Sequence, residues 1–282
     1  MTAERVYRFR DGKQLTLGGR TLVMGILNVT PDSFSDGGRW NSVDRALRHM
    51  EEMVRDGADI IDIGAESSRP GFVPMSAAEE IERLLPFLEA VLPVCPVPVS
   101  VDTFKAETAR AALSAGVHLL NDIWGLQYRE ESGAMAQAAA EADVPVVVMH
   151  NQNGTAYDGD VIAAMRGFFL RSFEIADAAG LAREKIILDP GIGFGKTADQ
   201  NMHVMRRMDE LASYDGVDYP VLLGASRKSF IGAALGLPVE ERIEATGAAC
   251  VLGITRGASI VRVHDVKPVA RMCRMTDAIL GA

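Results

Sequence analysis

The sequence predicts a single (β/α)8 barrel, an α/β fold of the TIM type, spanning residues 1–282 as one domain. Three observations predict it. Eight short, nearly continuous apolar runs recur along the chain, as in strands buried on both faces. Amphipathic helical patterns separate them. No low-complexity stretch or linker divides the 282 residues, a length close to the roughly 250 of such barrels.

The runs are Leu22–Leu27, Ile60–Ile63, Val97–Val101, His118–Leu120, Val144–Met149, Ile186–Leu188, Val221–Leu223 and Ile260–Val263. Residues 1–20 form an extension ahead of the first run. After that run, Ser42 is expected to cap a helix with Val43, Ala46, Leu47, Met50, Met53 and Val54 on one face. Gly57 suits the left-handed position that ends it. Ser76 and Glu79 have the capping-box spacing ahead of Ile81, Leu84, Leu85 and Leu88. Pro86 within that pattern predicts a kink or a later start. Gly116 and Gly180 close further helices, Gly257 precedes the eighth run, and Val266–Leu280 reads as the closing helix. An open doubly wound sheet would also alternate strand and helix. The count of eight, and the lack of a dinucleotide glycine fingerprint after the first run, favour the closed barrel.

Composition narrows the function. With 29 basic and 38 acidic residues the formal charge is −9. That balance argues against a sequence-independent nucleic-acid binder and against attachment to an anionic membrane. Cys95, Cys250 and Cys273 are odd in number and far apart, which disfavours disulfides and a zinc site. Residues 1–13 are polar, so a secretory signal is not expected, and no run reaches membrane-spanning length. A reducing cytoplasm is the expectation.

Barrel enzymes build their sites at the C-terminal strand ends. The polar residues there are Asn28, Asp62, Glu66, Asp102, Asn121, Asp122, His150, Asp189, Ser226, Arg227, Lys228, Arg262 and His264. Any one carboxylate could simply cap the next helix. Asp102, Asn121 and Asp189 together would converge on one mouth. Carboxylates there suit the paired N–H donors of an aminopyrimidinone edge, and an amide that both donates and accepts suits the mixed edge of the same ring. Ser226 or Ser229 is expected to cap the helix after the seventh run, leaving amides for an anion beside Lys228. Arg69, Arg262 and His264 offer cations or donors to phosphate. Asn28 could give an oxygen to Mg2+, which keeps waters and substrate phosphates as its other ligands. The loops from Asn28 to Gly38 and from Glu66 to Gly71 are rich in turn formers, as binding loops are.

Several motifs fail on spacing. Residues 191–197 (GIGFGKT) would need glycine at Pro190 to make a phosphate loop, and Lys196 stands where a dinucleotide fingerprint needs its third glycine. Gly224-Ala-Ser226-Arg-Lys228 is not an esterase elbow. No HExxH is present. His49 and His203 lie in helical patterns and read as structural or solvated.

Seven ordered segments, MGILNVTPDSFSDGG (24–38), DIGAESSRPG (62–71), VDTFKAE (101–107), NDI (121–123), LDPGIGFGKT (188–197), ASRKSFIG (225–232) and RVHD (262–265), resemble the dihydropteroate synthases, the folate-pathway branch of the pterin-binding barrels. VDT or NDI alone is a weak sign. The ordered set, from about Leu22 to Arg274, is highly specific. The resemblance implies that the amine of p-aminobenzoate displaces pyrophosphate from hydroxymethyl-dihydropterin pyrophosphate. It assigns the pterin to Asp102, Asn121, Asp189 and Lys228, with Met149 and Phe194 walling the ring. It gives Mg2+ or pyrophosphate to Asn28, and the phosphates to Ser68, Arg69, Arg262 and His264. Arg262 also covers the pterin face. Ser226, Phe34 and Pro70 would touch p-aminobenzoate. Asp102, Lys228, Arg262 and His264 form the implied catalytic set, and a homodimer is implied. Ser68 replaces the usual threonine but keeps the hydroxyl. The segment after the fifth run, residues 149–154 (MHNQNG), departs from the family's M-H-x-x-G, which leaves His150 without a role. Sensitivity to sulfonamides is expected. Two rivals are a methyltetrahydrofolate:corrinoid methyltransferase, which needs no phosphate-holding cations, and a silent pterin-binding scaffold, which would not need every catalytic side chain kept.

Overall fold

The computed structural model describes residues 4–30, 38–66, 75–128, 131 and 133–281, with backbone alone for 38–41. Phe34, Ser68, Arg69 and Pro70 lie outside the described residues, as do most of the first two binding loops. The chain opens with an antiparallel hairpin, β1 (Arg5–Arg8) and β2 (Gln14–Leu17). Eight parallel strands then close a barrel: β3 (Leu22–Asn28), β4 (Ile60–Gly64), β5 (Val99–Asp102), β6 (Leu119–Asp122), β7 (Val146–Met149), β8 (Ile186–Asp189), β11 (Val221–Leu223) and β12 (Ala258–Val263). Pairing runs in chain order and β12 returns to β3. A small ribbon of β9 (Ser213–Tyr214) and β10 (Val217–Asp218) precedes the seventh barrel strand.

The strands match the eight apolar runs, but several are shifted toward their C-termini. Asn28, Asp102, Asn121, Asp122 and Asp189 belong to the strands themselves. Apolarity marks the lower, filled part of the barrel, whereas the backbone ladder continues one or two residues into the polar mouth.

Helices fill the crossovers. α1 spans Gly38–Asp56 and α2 Ala77–Val91. α3 is Ala106–Ala115, α4 Ala134–Ala142 and α5 Val161–Ala178. α6 covers Ala198–Arg206, α7 Ser229–Leu235, α8 Ile243–Thr255 and α9 Val266–Leu280. The Ser76–Glu79 capping box is present, and Gly57 and Gly116 take positive φ as expected. Two expectations change. α1 starts at Gly38, so Ser42 lies inside it; the apolar stripe tells where a helix is buried, not where its hydrogen bonding begins. Pro86 is the tenth residue of α2, which removes the start alternative and leaves the kink. A second capping box, Thr197 with Gln200, starts α6.

Side chains alternate across a strand. One parity of the barrel strands, Leu22, Met24, Ile60, Leu119, Val147, Ile187, Leu222 and Ile260, forms a single apolar cluster with Tyr7, Leu15 and Leu17 of the hairpin. The barrel interior is therefore packed, and the hairpin closes its lower end. The other parity faces the helices in two larger clusters. Among the described residues no helix is long and apolar enough to cross a membrane.

Phe169 on α5 is fully buried and edge-on to Phe168 and Tyr214. Phe169→Ala should cost about 3–5 kcal/mol, read as a lower urea midpoint with little change in slope.

Candidate active site at the barrel mouth

The interior parity that builds the apolar floor also builds the site. Two residues beyond Ile60, Leu119, Val147, Ile187 and Ile260 stand Asp62, Asn121, Met149, Asp189 and Arg262. On β5 the matching residue is Asp102, whose Cα pairs with that of Asn121. An acidic and amide layer thus lies directly above the hydrophobic one.

Arg262 organises this layer. Its Nε donates to Asp62 Oδ2 at 2.6 Å and a terminal nitrogen donates to Asp102 Oδ2 at 2.8 Å. Asn121 Nδ2 donates to the same Asp62 oxygen at 3.1 Å. Asp62 is fully buried, and its Oδ1 has no hydrogen-bond partner among the described residues. Burial opposes charge on Arg262, but the fields of Asp62 and Asp102 prevail and hold its pKa above the usual value. Burial pushes Asp102 up to about 7 despite Arg262, with Asp62 adding to the rise. Asp189 is pushed up to about 6 by burial, against a 2.7 Å bond from the Gly191 amide and the field of Lys228.

The opposite rim is carried by the loops after β8, β11 and β12. Lys228 Nζ lies 4.0 Å from the Phe194 ring centroid. Phe194 packs with Met149, Phe104, Ile123, Trp124 and Tyr128 in an apolar wall. Ser226 Oγ accepts from the His264 amide at 3.2 Å and lies 3.0 Å from His264 Nδ1. Its own proton can then go to Nδ1, which leaves Nε2–H facing outward as a donor. Burial, then Arg262 and Arg227, push His264 down to about 4, so the imidazole is neutral at pH 7. Arg227 at φ +56° pairs with Asp265 through two bonds of 2.8 and 2.6 Å, tying the two loops together.

Of the sequence-predicted site residues, Asp102, Asn121, Met149, Asp189, Phe194, Ser226, Lys228, Arg262, His264 and Asn28 line this mouth or its walls. Neither Ser226 nor Ser229 caps α7. Lys228 holds that position without a side-chain capping bond, and Ser226 is committed to His264. The helix is only seven residues long, so the anion reading of its N-terminus does not stand. Asp122 turns away and accepts from the Trp124 and Leu126 amides as a turn former. Sequence reasoning placed Asp62 at a strand end but gave it no role, which its parity with Arg262 and Asn121 could have suggested, and it gave none to Lys196, described below.

A family model described as pterin binding enzyme matches residues 24–264. The dihydropteroate synthase of Bacillus subtilis is 52% identical over 262 residues, covering 93% of this chain and 90% of that protein. Among solved structures, a dihydropteroate synthase from Clostridium difficile in the presence of pteroic acid superposes with a TM-score of 0.89 at 48% identity, over 93% of this chain and 98% of that one. The Yersinia pestis dihydropteroate synthase with a sulfonamide drug complex gives 0.88 at 40% identity, over 99% and 100%. The fold and site therefore define a pterin-binding barrel enzyme. Within that class the chain belongs to the dihydropteroate synthase family. It is an enzyme of folate biosynthesis that transfers a pterin-methyl group.

Asp189 supplies a pH test. Its folded-state pKa of about 6 exceeds the ordinary 3.8, so the native state holds a proton that the unfolded chain has lost between those values. Stability therefore falls as pH rises through that window. Asp189→Asn should be the more stable protein above pH 6, by on the order of 3 kcal/mol, and the advantage should vanish near pH 4. Urea denaturation of both proteins from pH 4 to 8 measures it.

Proposed function

We propose that the chain condenses 6-hydroxymethyl-7,8-dihydropterin pyrophosphate with p-aminobenzoate, giving 7,8-dihydropteroate and pyrophosphate. The observation that carries this reading is the Asp62–Arg262–Asp102 arrangement with Asn121 and Asp189 around one mouth. Donor-rich edges of an aminopyrimidinone match carboxylates that burial leaves short of partners. Asp102, Asp189 and the open Asp62 Oδ1 take the ring's N–H groups, Asn121 its mixed edge, and Lys228 its carbonyl oxygen. Met149 and Phe194 close one face, and Arg262 covers the other.

The C–O bond between the pterin methylene and pyrophosphate breaks, and a C–N bond to p-aminobenzoate forms as the amine gives up a proton. Negative charge grows on the departing pyrophosphate and positive charge on the methylene. Arg262 and the neutral His264 Nε2–H face the former, while the carboxylates favour the latter, which suits a largely dissociative displacement. Ser226 takes the p-aminobenzoate side of the site in this reading. Phe34, Ser68, Arg69 and Pro70 keep the roles the family pattern assigns to them.

Asn28 fits Mg2+ as a single hard oxygen donor. Among the described residues no cluster of three or more His, Cys, Asp or Glu makes a ready cage, so substrate phosphates and water would complete the shell. When bound, the ion supplies charge neutralisation to pyrophosphate. We also infer a cytoplasmic homodimer. Exposed Met275, Ile279 and Leu280 on α9 support an apolar contact between copies.

Purified protein with Mg2+, the pterin pyrophosphate and radiolabelled p-aminobenzoate should yield labelled dihydropteroate and release pyrophosphate. Sulfamethoxazole should suppress it, and Lys228→Ala should lower turnover by about a hundredfold or more. Methyl transfer to cobalamin instead, or undiminished turnover in Lys228→Ala, would contradict the assignment.

A further inference from the structure

Lys196 lies beneath the site, not in it. It is 7% exposed, and Nζ donates to the carbonyl oxygens of Gly191 and Phe194, each at 3.1 Å, and lies 2.9 Å from His150 Nδ1. Two carbonyl oxygens and one ring nitrogen converge on Nζ. An ammonium meets all three with its three donors, and a neutral amine meets them with two donors and a lone pair that accepts from Nδ1–H; burial lowers Lys196 to about 7, so both forms keep the clamp near neutral pH. Burial, reinforced by Lys196, holds His150 well below its usual pKa, so its ring is neutral.

The segment so gripped has little else to fix its shape. Gly191, Gly193 and Gly195 all have positive φ, at +62°, +86° and +55°. None has a side chain to pack, and none could gain one. A Cβ at Gly191 would overlap the His150 carbonyl oxygen, and one at Gly195 would come within 2.8 Å of the Gln152 carbonyl oxygen. Hydrogen bonds do the holding. Tyr157 donates to the Gly195 carbonyl at 2.8 Å, and the Gly193 amide donates to Asn201 Oδ1 at 2.7 Å. Lys196 bonds two carbonyls of the turn, those of Gly191 and Phe194.

This turn presents what meets the ring. It carries Phe194, and the Lys228 stem rests on Gly193, where a Cβ would lie 2.9 Å from Lys228 Cδ. Its first amide bonds Asp189. We propose that Lys196 is a positioning residue for pterin binding: it clamps the Gly191–Gly195 turn to His150 at the end of β7, and so sets Phe194 and Lys228 against the ring without touching substrate. The inference rests on the reading above that Phe194 and Lys228 face the pterin.

Lys196→Met keeps most of the stem and removes the nitrogen that makes the three bonds. Steady-state kinetics should show the KM for the pterin pyrophosphate rising about tenfold or more, with the KM for p-aminobenzoate changed less than about twofold. In a Phe194→Ala background the same substitution should add little, because the ring it positions is gone. Thr21→Val, which breaks a buried bond to Asp277 ahead of the first barrel strand, serves as a control for lost stability and should leave both KM values near wild type. If Lys196→Met does not fold, Lys196→Gln and Tyr157→Phe carry the test, each with a smaller rise in the same KM. An unchanged pterin KM in folded variants, a full additional loss in the Phe194→Ala background, or an equal rise in Thr21→Val would overturn the proposal. Wild-type turnover is scored separately. An inactive wild type sinks the functional reading, whereas an active one with a Lys196-independent KM sinks only this inference.

Discussion

One guanidinium bridging two buried carboxylates governs the upper half of this barrel. Arg262 holds Asp62 on β4 and Asp102 on β5, and Asp62 in turn takes Asn121 on β6. Removing Arg262 would leave two carboxylates stranded in a low-dielectric interior, at several kcal/mol. The arrangement is therefore weak evidence of stability and stronger evidence of use. Burial raises both Asp102 and Asp189, so the native fold sustains carboxylates it would be more stable without. The fold offsets that strain with an apolar floor closed from below by the N-terminal hairpin.

Strand parity links floor and site. The same alternation that sends Ile60, Leu119, Ile187 and Ile260 inward sends Asp62, Asn121, Asp189 and Arg262 inward one step higher. Moving any strand by one residue would turn its site residue toward the helices. Chemistry and core packing thus constrain one register. The rim is less tightly bound to it. There, the loops after β8, β11 and β12 are knitted by Arg227–Asp265, Ser226–His264 and Lys196–His150.

Much of this was legible in the sequence, because buried parallel strands write themselves as apolar runs and barrel sites cluster at their ends. The eight strands, the Ser76–Glu79 cap and the closing helix Val266–Leu280 follow from local pattern alone. Three points escaped for physical reasons. Asp62 sits within an apolar run, where a carboxylate is hard to separate from a structural ion pair until its partner 200 residues away is known. The role of Ser226 depends on His264 from the neighbouring strand, and helix-cap rules see only local sequence. Lys196 looked like part of a failed phosphate loop because spacing rules register glycines and lysines but not the burial that turns a lysine inward. His264 shows the same limit: its residue type suggests a cation, while its surroundings make it a neutral donor.

The most direct test is a crystal structure of the protein with 6-hydroxymethyl-7,8-dihydropterin pyrophosphate bound. The bicyclic ring should lie above Met149 with its nitrogens within about 3.2 Å of Asp102, Asn121 and Asp189, Lys228 at its carbonyl oxygen and the Arg262 guanidinium over its face. A ring seated elsewhere, with Arg262 and the three acceptor residues untouched, would contradict the account.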